Sequence, residues 1–111
     1  MENCVFCKIV SGEIPSPRVY EDEQMIVIRD IEPKAKLHYL CIPKKHFAYL
    51  SDMDEKKAEI LKHCFQTIAE IKNNLGLYEG YRVIINQGKH GGQTVNHLHI
   101  HLLGGEQLSD F

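Results

Sequence analysis

Near its C-terminal end the chain reads His97-Leu98-His99-Ile100-His101-Leu102-Leu103, alternating imidazole with aliphatic side chains. Nothing else in the sequence constrains the fold as much. Successive side chains of a β-strand point to opposite faces, so a strand here puts three imidazoles on one face. Leu98, Ile100 and Leu102 then point the other way, into a core. Alternate residues of a strand stand roughly 6–7 Å apart, close enough to act on one substrate but too far to share a proton directly. A half-buried strand with an ordinary wet face is the simpler alternative, yet Lys, Glu or Thr serve that purpose more simply than three histidines. Perturbed histidines gather at working sites, which favours a functional strand.

The remaining sequence limits what can surround that strand. A chain of 111 residues suits one compact domain, residues 1–111. At this size only about two-thirds of the unfolded surface is buried, so pairing with a second copy would help. Net charge is -2 with His neutral, and the basic residues are scattered, so neither nucleic acid nor an anionic membrane is expected as a partner. No apolar run approaches the ~18 residues of a membrane span and no leader core is visible, so a cytoplasmic location is expected. The four cysteines do not read as a disulfide scaffold. Cys41 lies in the apolar run 39–42 and Cys64 on the apolar side of a helix, where free cysteine packs as a small hydrophobe. Cys4 and Cys7 form a Cys-x-x-Cys pair of a different kind.

Periodicity places a short helix over residues 4–11, ended by Gly12, and Pro15 and Pro17 then force an extended passage. Strands are expected over 19–21 and 25–29, joined by the polar turn 22–24, and over 38–43 after a loop. Ser51 with Asp54 resembles a capping box for one long helix. Along it Leu61, Cys64, Phe65, Ile68, Ile71 and Leu75 recur at three- and four-residue spacing, and Asn74 and Gly76 suit its end. A fourth strand is expected over 81–86, and the histidine strand over 95–103. Five strands with few crossovers imply an α+β fold on an antiparallel sheet.

Histidine serves as base, acid, metal ligand or nucleophile, so its neighbours must choose. A three-histidine zinc site drawn from one strand is geometrically awkward. No cluster of carboxylates is present to hold Mg²⁺, and no serine nucleophile elbow occurs. Covalent catalysis by an imidazole fits better. The preceding segment, Asn86-Gln87-Gly88-Lys89-His90-Gly91-Gly92-Gln93-Thr94, combines glycines with polar donors and reads as a phosphate cradle.

Taken together, the alternating histidines resemble the histidine triad motif, His-φ-His-φ-His-φ-φ. Gly91-Gly92-Gln93-Thr94 and Gly104-Gly105 resemble the Hint branch of that superfamily, the purine nucleoside phosphoramidases. The likeness extends to Asp30-Ile31 and Ile42-Pro43-Lys44-Lys45-His46. It implies a HIT-like five-stranded antiparallel sheet with one long and one short helix, two copies joining edge to edge into a ten-stranded sheet. It also implies hydrolysis of purine nucleoside 5′-phosphoramidates through a nucleotidyl-histidine. His99 would be the nucleophile, with one ring nitrogen held protonated by an acceptor such as a backbone carbonyl on the adjoining strand turn. His101 would stabilise the phosphate and help protonate the departing amine. Thr94, Gln93, Gly92 and Asn86 would hold the phosphate region. Asp30 would take the ribose hydroxyls. Val5, Phe6, Ile9, Ile28 and Ile31 could line a base pocket, and His38 aligns with a position near the site.

Several bacterial members carry Cys-x-x-Cys before the first helix together with a bound zinc. Carried over by position, the ligands here are Cys4, Cys7, His46 and His97, and the metal is structural rather than catalytic. A reduced thiol pair is the alternative. His63 and His90 are most simply solvent-facing. A dinucleoside polyphosphate hydrolase, or a module that binds nucleotide or zinc without turnover, are the rival functions. The chain lacks the Trp-containing tail of many Hint-type proteins, which leaves the leaving-group side of the pocket undefined.

Overall fold

The computed structural model describes residues 3–110. Helix α1, Val5–Ser11, is followed by strands β1, Tyr20–Glu21, β2, Met25–Arg29, and β3, Leu37–Pro43. Helix α2, Glu55–Ile71, then leads to β4, Tyr81–Ile84, and β5, Ile100–Gly104. All strand pairings are antiparallel and the order across the sheet is β1-β2-β3-β5-β4. The expected α+β architecture, with one short and one long helix on a five-stranded sheet, is therefore present among the described residues. No helix among them is long and apolar enough to cross a membrane.

Register assigns each strand residue to a face. Ile28 opposes Leu40, and Leu40 opposes His101. These residues share a face with Ile26, Ile42 and His38, because alternate positions of a strand point the same way. Helix α1 covers this face, packing Cys4, Phe6 and Ile9 against Ile26, Ile28, Leu40 and Ile42. The other face presents Met25, Val27, Tyr39, Cys41, Ile100 and Leu102 to Leu61, Cys64 and Ile68 of α2. The sheet is thus sandwiched between a small helix on the histidine side and a large one behind it. Cys41 and Cys64 are free and fully buried in that larger core, as small hydrophobes.

The helix ends follow local chemistry. Cys4 is the N-cap of α1, its Sγ accepting the Cys7 N–H at 3.3 Å. Gly12 closes the helix in the left-handed region at φ 86°, its N–H bonded to the Ile9 carbonyl. The cap of α2 is Asp54 itself, whose carboxylate accepts the Lys57 N–H at 2.8 Å. Ser51 lies instead in a 3₁₀ turn, Leu50–Asp52, so the expected box is replaced by a direct Asp cap, equally able to satisfy a free donor. Helix α2 stops at Ile71, short of the expected end at residues 74–76. Leu75 is nevertheless buried, reached through turns that end at Gly76. Phe65, expected in the core, is 43% exposed.

Three strand boundaries also contract. The first strand begins at Tyr20 rather than at residue 19, and the fourth ends at Ile84 rather than 86. The histidine strand spans Ile100–Gly104 and not 95–103. The cause lies on the neighbouring chain segment. Pro43 ends β3 and has no N–H to offer a ladder. Beyond it the Leu98 N–H turns to the Phe47 carbonyl at 2.7 Å, and the Pro43 carbonyl accepts from His97 Nε2 at 2.7 Å.

Candidate active site and metal centre

His97 and His99 therefore lie on the extended approach to β5, while His101 lies within it. Alternation survives this change. Leu98, Ile100 and Leu102 are fully buried in the core toward α2, and all three imidazoles turn toward α1. The edge of the Phe6 ring meets His97 at a centroid distance of 5.9 Å and His99 at 4.9 Å. His99 and His101 are 5.1 Å apart, centroid to centroid.

His99 is held in one tautomer. Its Nδ1 lies 2.7 Å from the His97 carbonyl. A carbonyl only accepts, so Nδ1 carries the hydrogen and Nε2 keeps its lone pair. The ring is 6% exposed, enough for the free nitrogen to meet a ligand without a water shell around the whole ring. The acceptor is a backbone carbonyl as expected, but it lies two residues earlier on the same segment and not on the adjoining strand turn.

His101 is set by a chain of partners that begins in the loop before β3. The Lys34 backbone N–H donates to His38 Nδ1 at 3.0 Å, so the His38 hydrogen sits on Nε2. That Nε2 donates to His101 Nδ1 at 2.9 Å, with Asp30 Oδ2 3.4 Å from the same nitrogen. His101 must then carry its own hydrogen on Nε2, the nitrogen left for a ligand. Burial holds the His101 pKa down at about 4, helped by the charges that His99 and His38 would carry. Burial also lowers the His38 pKa, opposed by the Asp30 carboxylate. Both rings are neutral near pH 7, so His101 offers an anion a hydrogen bond rather than a full charge. Asp30 Oδ1 accepts the Glu32 N–H at 2.8 Å, which fixes the carboxylate at the end of β2. Ile31 next to it is 94% exposed.

The loop between β4 and the histidines is braced from within. Asn86 Nδ2 donates to the Gly91 carbonyl at 2.7 Å. Gln93 Oε1 accepts the Gly88 N–H at 2.9 Å, and its Nε2 donates to the carbonyls of Ala48 and Val95 at 3.0 and 3.3 Å. Both Gln93 amide hydrogens are thus committed, so its side chain shapes the loop rather than reaching outward. Gly91 is required sterically, since a Cβ there would stand 2.2 Å from the Gln87 carbonyl oxygen. The Gly92 and Gln93 amides bond the Lys89 and Gly88 carbonyls. Among the described residues the Thr94 N–H and hydroxyl take no partner, so they are the donors that this loop leaves for a ligand.

At the other end of the histidine row, Cys4, Cys7, His46 and His97 converge. His97 Nδ1 lies 3.3 Å from Cys4 Sγ, 3.6 Å from Cys7 Sγ and 3.2 Å from His46 Nδ1, and Cys7 Sγ lies 3.4 Å from that same nitrogen. A tetrahedral zinc with its usual bond lengths has N···N and N···S edges of roughly 3.3–3.6 Å, so the four donors already outline such a site. The carbonyl of Pro43 takes the Nε2 hydrogen of His97 and leaves Nδ1 as a ligand. Burial, augmented by the neighbouring His46, holds the His97 pKa at about 4, so the ring is neutral as a ligand must be. Burial and the neighbouring Cys4 raise the Cys7 pKa.

Comparison with known proteins is consistent with this geometry. Residues 3–111 match the family described as "Scavenger mRNA decapping enzyme C-term binding". Protein HitA of Neisseria gonorrhoeae is 46% identical over 104 residues, covering 94% of this chain and 97% of its own. A HIT family hydrolase from Clostridium thermocellum superposes with a TM-score of 0.94 at 46% identity, covering 100% of this chain and 97% of that one. The chain belongs to the histidine triad (HIT) superfamily. Another HIT structure, a zinc-bound histidine triad family protein from Mycobacterium smegmatis, has a TM-score of 0.80 at 40% identity, covering 97% and 81%. With hydrolases among its relatives, the chain is an enzyme of HIT type.

Within this HIT fold the sequence-derived residues sort into two groups. Asp30, His99 and His101 come together, with Thr94, Gly92 and Asn86 on the adjoining loop; Cys4, Cys7, His46 and His97 form the second group. Sequence reasoning left His38 without a role, although its parity with Leu40 and Ile42 places it on the site face. It missed His63 as well. His63 is partly exposed, yet its Nε2 lies 2.7 Å from Asp22 Oδ2, tying α2 to the β1–β2 turn. His90 is exposed, as expected.

Proposed function

We propose that this HIT protein hydrolyses the P–N bond of purine nucleoside 5′-phosphoramidates, residues 1–111 acting as one domain. The observation that carries the reading is the His99 ring, its Nδ1–H on the His97 carbonyl at 2.7 Å and its Nε2 lone pair free beside His101. His99 Nε2 attacks phosphorus and the P–N bond to the amine breaks. When the anionic phosphate arrives, His101 takes a second proton from solvent at Nδ1 while the His38 Nε2–H turns to the Asp30 carboxylate, and the amine leaves with the proton from His101 Nε2. Water then attacks phosphorus and gives a proton back to His101 Nε2, the bond to His99 breaks, and a nucleoside 5′-monophosphate is released. Thr94 holds phosphate oxygens through its N–H and hydroxyl. Gly92, Asn86 and Gln93 keep that loop in shape around them.

Asp30 receives the ribose hydroxyls with the carboxylate capacity left beside the Glu32 and His38 contacts, and exposed Ile31 folds over a purine. Cys4, Cys7, His46 and His97 hold a structural zinc, which clamps α1 to the catalytic sheet. Two copies pair through the outer edge of β4 into a ten-stranded sheet, a reading supported by exposed Val83 on that strand and Phe65 on α2.

The test is a direct comparison of adenosine 5′-phosphoramidate with a diadenosine polyphosphate, the parent protein beside His99→Ala. We expect nucleoside monophosphate from the first substrate only, lost in the variant while nucleotide binding persists. Preferential cleavage of the polyphosphate, or turnover by His99→Ala, overturns the reading.

A further inference from the structure

The segment that carries His99 lies outside the ladder of the sheet, since β3 ends at Pro43 and β5 begins only at Ile100. The peptide unit between His97 and Leu98 holds it on two sides. Its carbonyl accepts the His99 Nδ1–H at 2.7 Å, and its N–H donates to the Phe47 carbonyl at 2.7 Å. A trans peptide is planar, so the N–H and C=O point in opposite directions and turn together. Whatever holds the Leu98 N–H therefore also aims the acceptor that keeps the His99 hydrogen on Nδ1.

Both sides of this peptide lead to the same cluster. His97, which supplies the carbonyl, directs its ring Nδ1 at Cys4, Cys7 and His46, 3.3, 3.6 and 3.2 Å away. His46 immediately precedes Phe47, the residue that accepts the Leu98 N–H. Helix α1 adds a third hold, because Phe6 lies between the two cysteines and sets its ring edge against His99 at a centroid distance of 4.9 Å. Hydrogen bonds among thiols and imidazoles are weak and interchangeable. Coordination of one cation by all four donors fixes their spacing to within about 0.2 Å.

We propose that His97 is a positioning residue for His99: its ring, locked in the four-donor cluster, fixes the His97–Leu98 peptide whose carbonyl selects the His99 tautomer. The proposal rests on the phosphoramidase reading and gives the cluster a part in it beyond clamping α1. A displacement of about 1 Å in a supporting group can cost on the order of a hundredfold in rate, so an acceptor held this closely matters to turnover. The coupling is also reciprocal. If an occupied cluster favours the His99 geometry that receives a nucleotide, a bound nucleotide favours occupation of the cluster.

Cobalt(II) titrated into the metal-stripped full chain, with and without saturating AMP, reads that coupling through the d–d absorption of tetrahedral cobalt. AMP is expected to tighten cobalt binding about fivefold in the parent protein. In His99→Ala, which has no ring on the His97 carbonyl, AMP leaves it within about twofold. Chelation of the parent's metal lowers kcat for adenosine 5′-phosphoramidate about tenfold while circular dichroism stays native, and added zinc restores it. A cobalt affinity that AMP leaves unmoved in the parent overturns the proposal, as does a chain that takes up no metal. Equal tightening in His99→Ala overturns it too, because the linkage then runs through folding of the chain rather than through the carbonyl. An unchanged kcat in folded, metal-free protein is equally fatal. If the loaded protein leaves the phosphoramidate uncleaved, the phosphoramidase reading fails; then, or if the stripped chain unfolds, the cobalt titrations alone decide the role of His97.

Discussion

Both ends of the histidine row hold a histidine cluster on the same face of the sheet, yet the two are built for different chemistry. At the His97 end, two sulfurs and two imidazole nitrogens stand at the spacing of a tetrahedron's edges, and the outward-facing nitrogen of His97 is tied to a carbonyl. At the His101 end, Asp30, His38 and His101 also converge within reach of a common point. There the His38 and His101 nitrogens are 2.9 Å apart, a hydrogen-bond distance with a proton between them, and shorter than the edge of a zinc tetrahedron. The backbone N–H of Lys34 occupies the remaining His38 nitrogen. One cluster directs lone pairs inward, as holding a cation requires; the other directs a hydrogen outward, as holding an anion requires. The identity of the residue matters less than which of its two nitrogens a neighbour has already taken.

His99 lies between these ends, so its loss is the largest effect that would sharpen the contrast. His99→Asn is expected to lower phosphoramidate turnover by more than about a thousandfold, with zinc content unchanged, measured by single-turnover kinetics and elemental analysis. Next comes the metal end. Cys7→Ser should bring bound zinc from about one per chain to near zero and remove several kcal/mol of stability, on the order of 3, in a denaturant titration. Equal stability with and without a chelator would show that the four donors do not clamp α1.

The proton end gives a smaller effect. His38→Ala leaves His101 Nδ1 without its donor, so the ring no longer holds one tautomer; kcat should fall about tenfold while zinc content stays. The same cluster gives a pH signature. The folded His101 takes a proton only near pH 4, against 6.5 for the unperturbed group, so between these values the unfolded chain binds more protons. Stability is complete above about pH 6.5 and declines as pH falls through that window toward 4, with the lowered His38 adding to the slope. Denaturation midpoints at several pH values check this, and a flat profile would show that the two rings are not held neutral. The smallest effect belongs to the opposite face. His63→Ala breaks the partly exposed contact with Asp22 and should cost no more than about 1 kcal/mol, without changing turnover or metal.

Much of this could be read before any coordinates. The period of two in residues 97–103 named the site face and the core face together, because a pleated backbone leaves side chains no other choice. The three- and four-residue recurrence of Leu61, Cys64 and Ile68 gave the face of α2 that meets the sheet, although Phe65 and Leu75 show that periodicity blurs at a stripe's margin. The clustering of Cys4, Cys7 and His46 with a residue some fifty positions later was suggested by a family likeness, and local spacing alone could not have derived it. Asn86 and Gln93 looked like donors to a ligand, since nothing in a linear sequence says that a side chain is already occupied.

What the sequence determined by itself was the alternation, the faces and the supply of chemical groups, since these depend on neighbours a few residues away and on the fixed geometry of the backbone. Only the tertiary structure decided which nitrogen of each histidine remains available. That choice rests on the His97 carbonyl for His99, the Pro43 carbonyl for His97, and the Lys34 amide, acting through His38, for His101. Two of these partners reach their rings from another strand or loop. A hydrogen bond of that kind exists only once the chain has closed on itself, and it converts three identical residues into three different reagents.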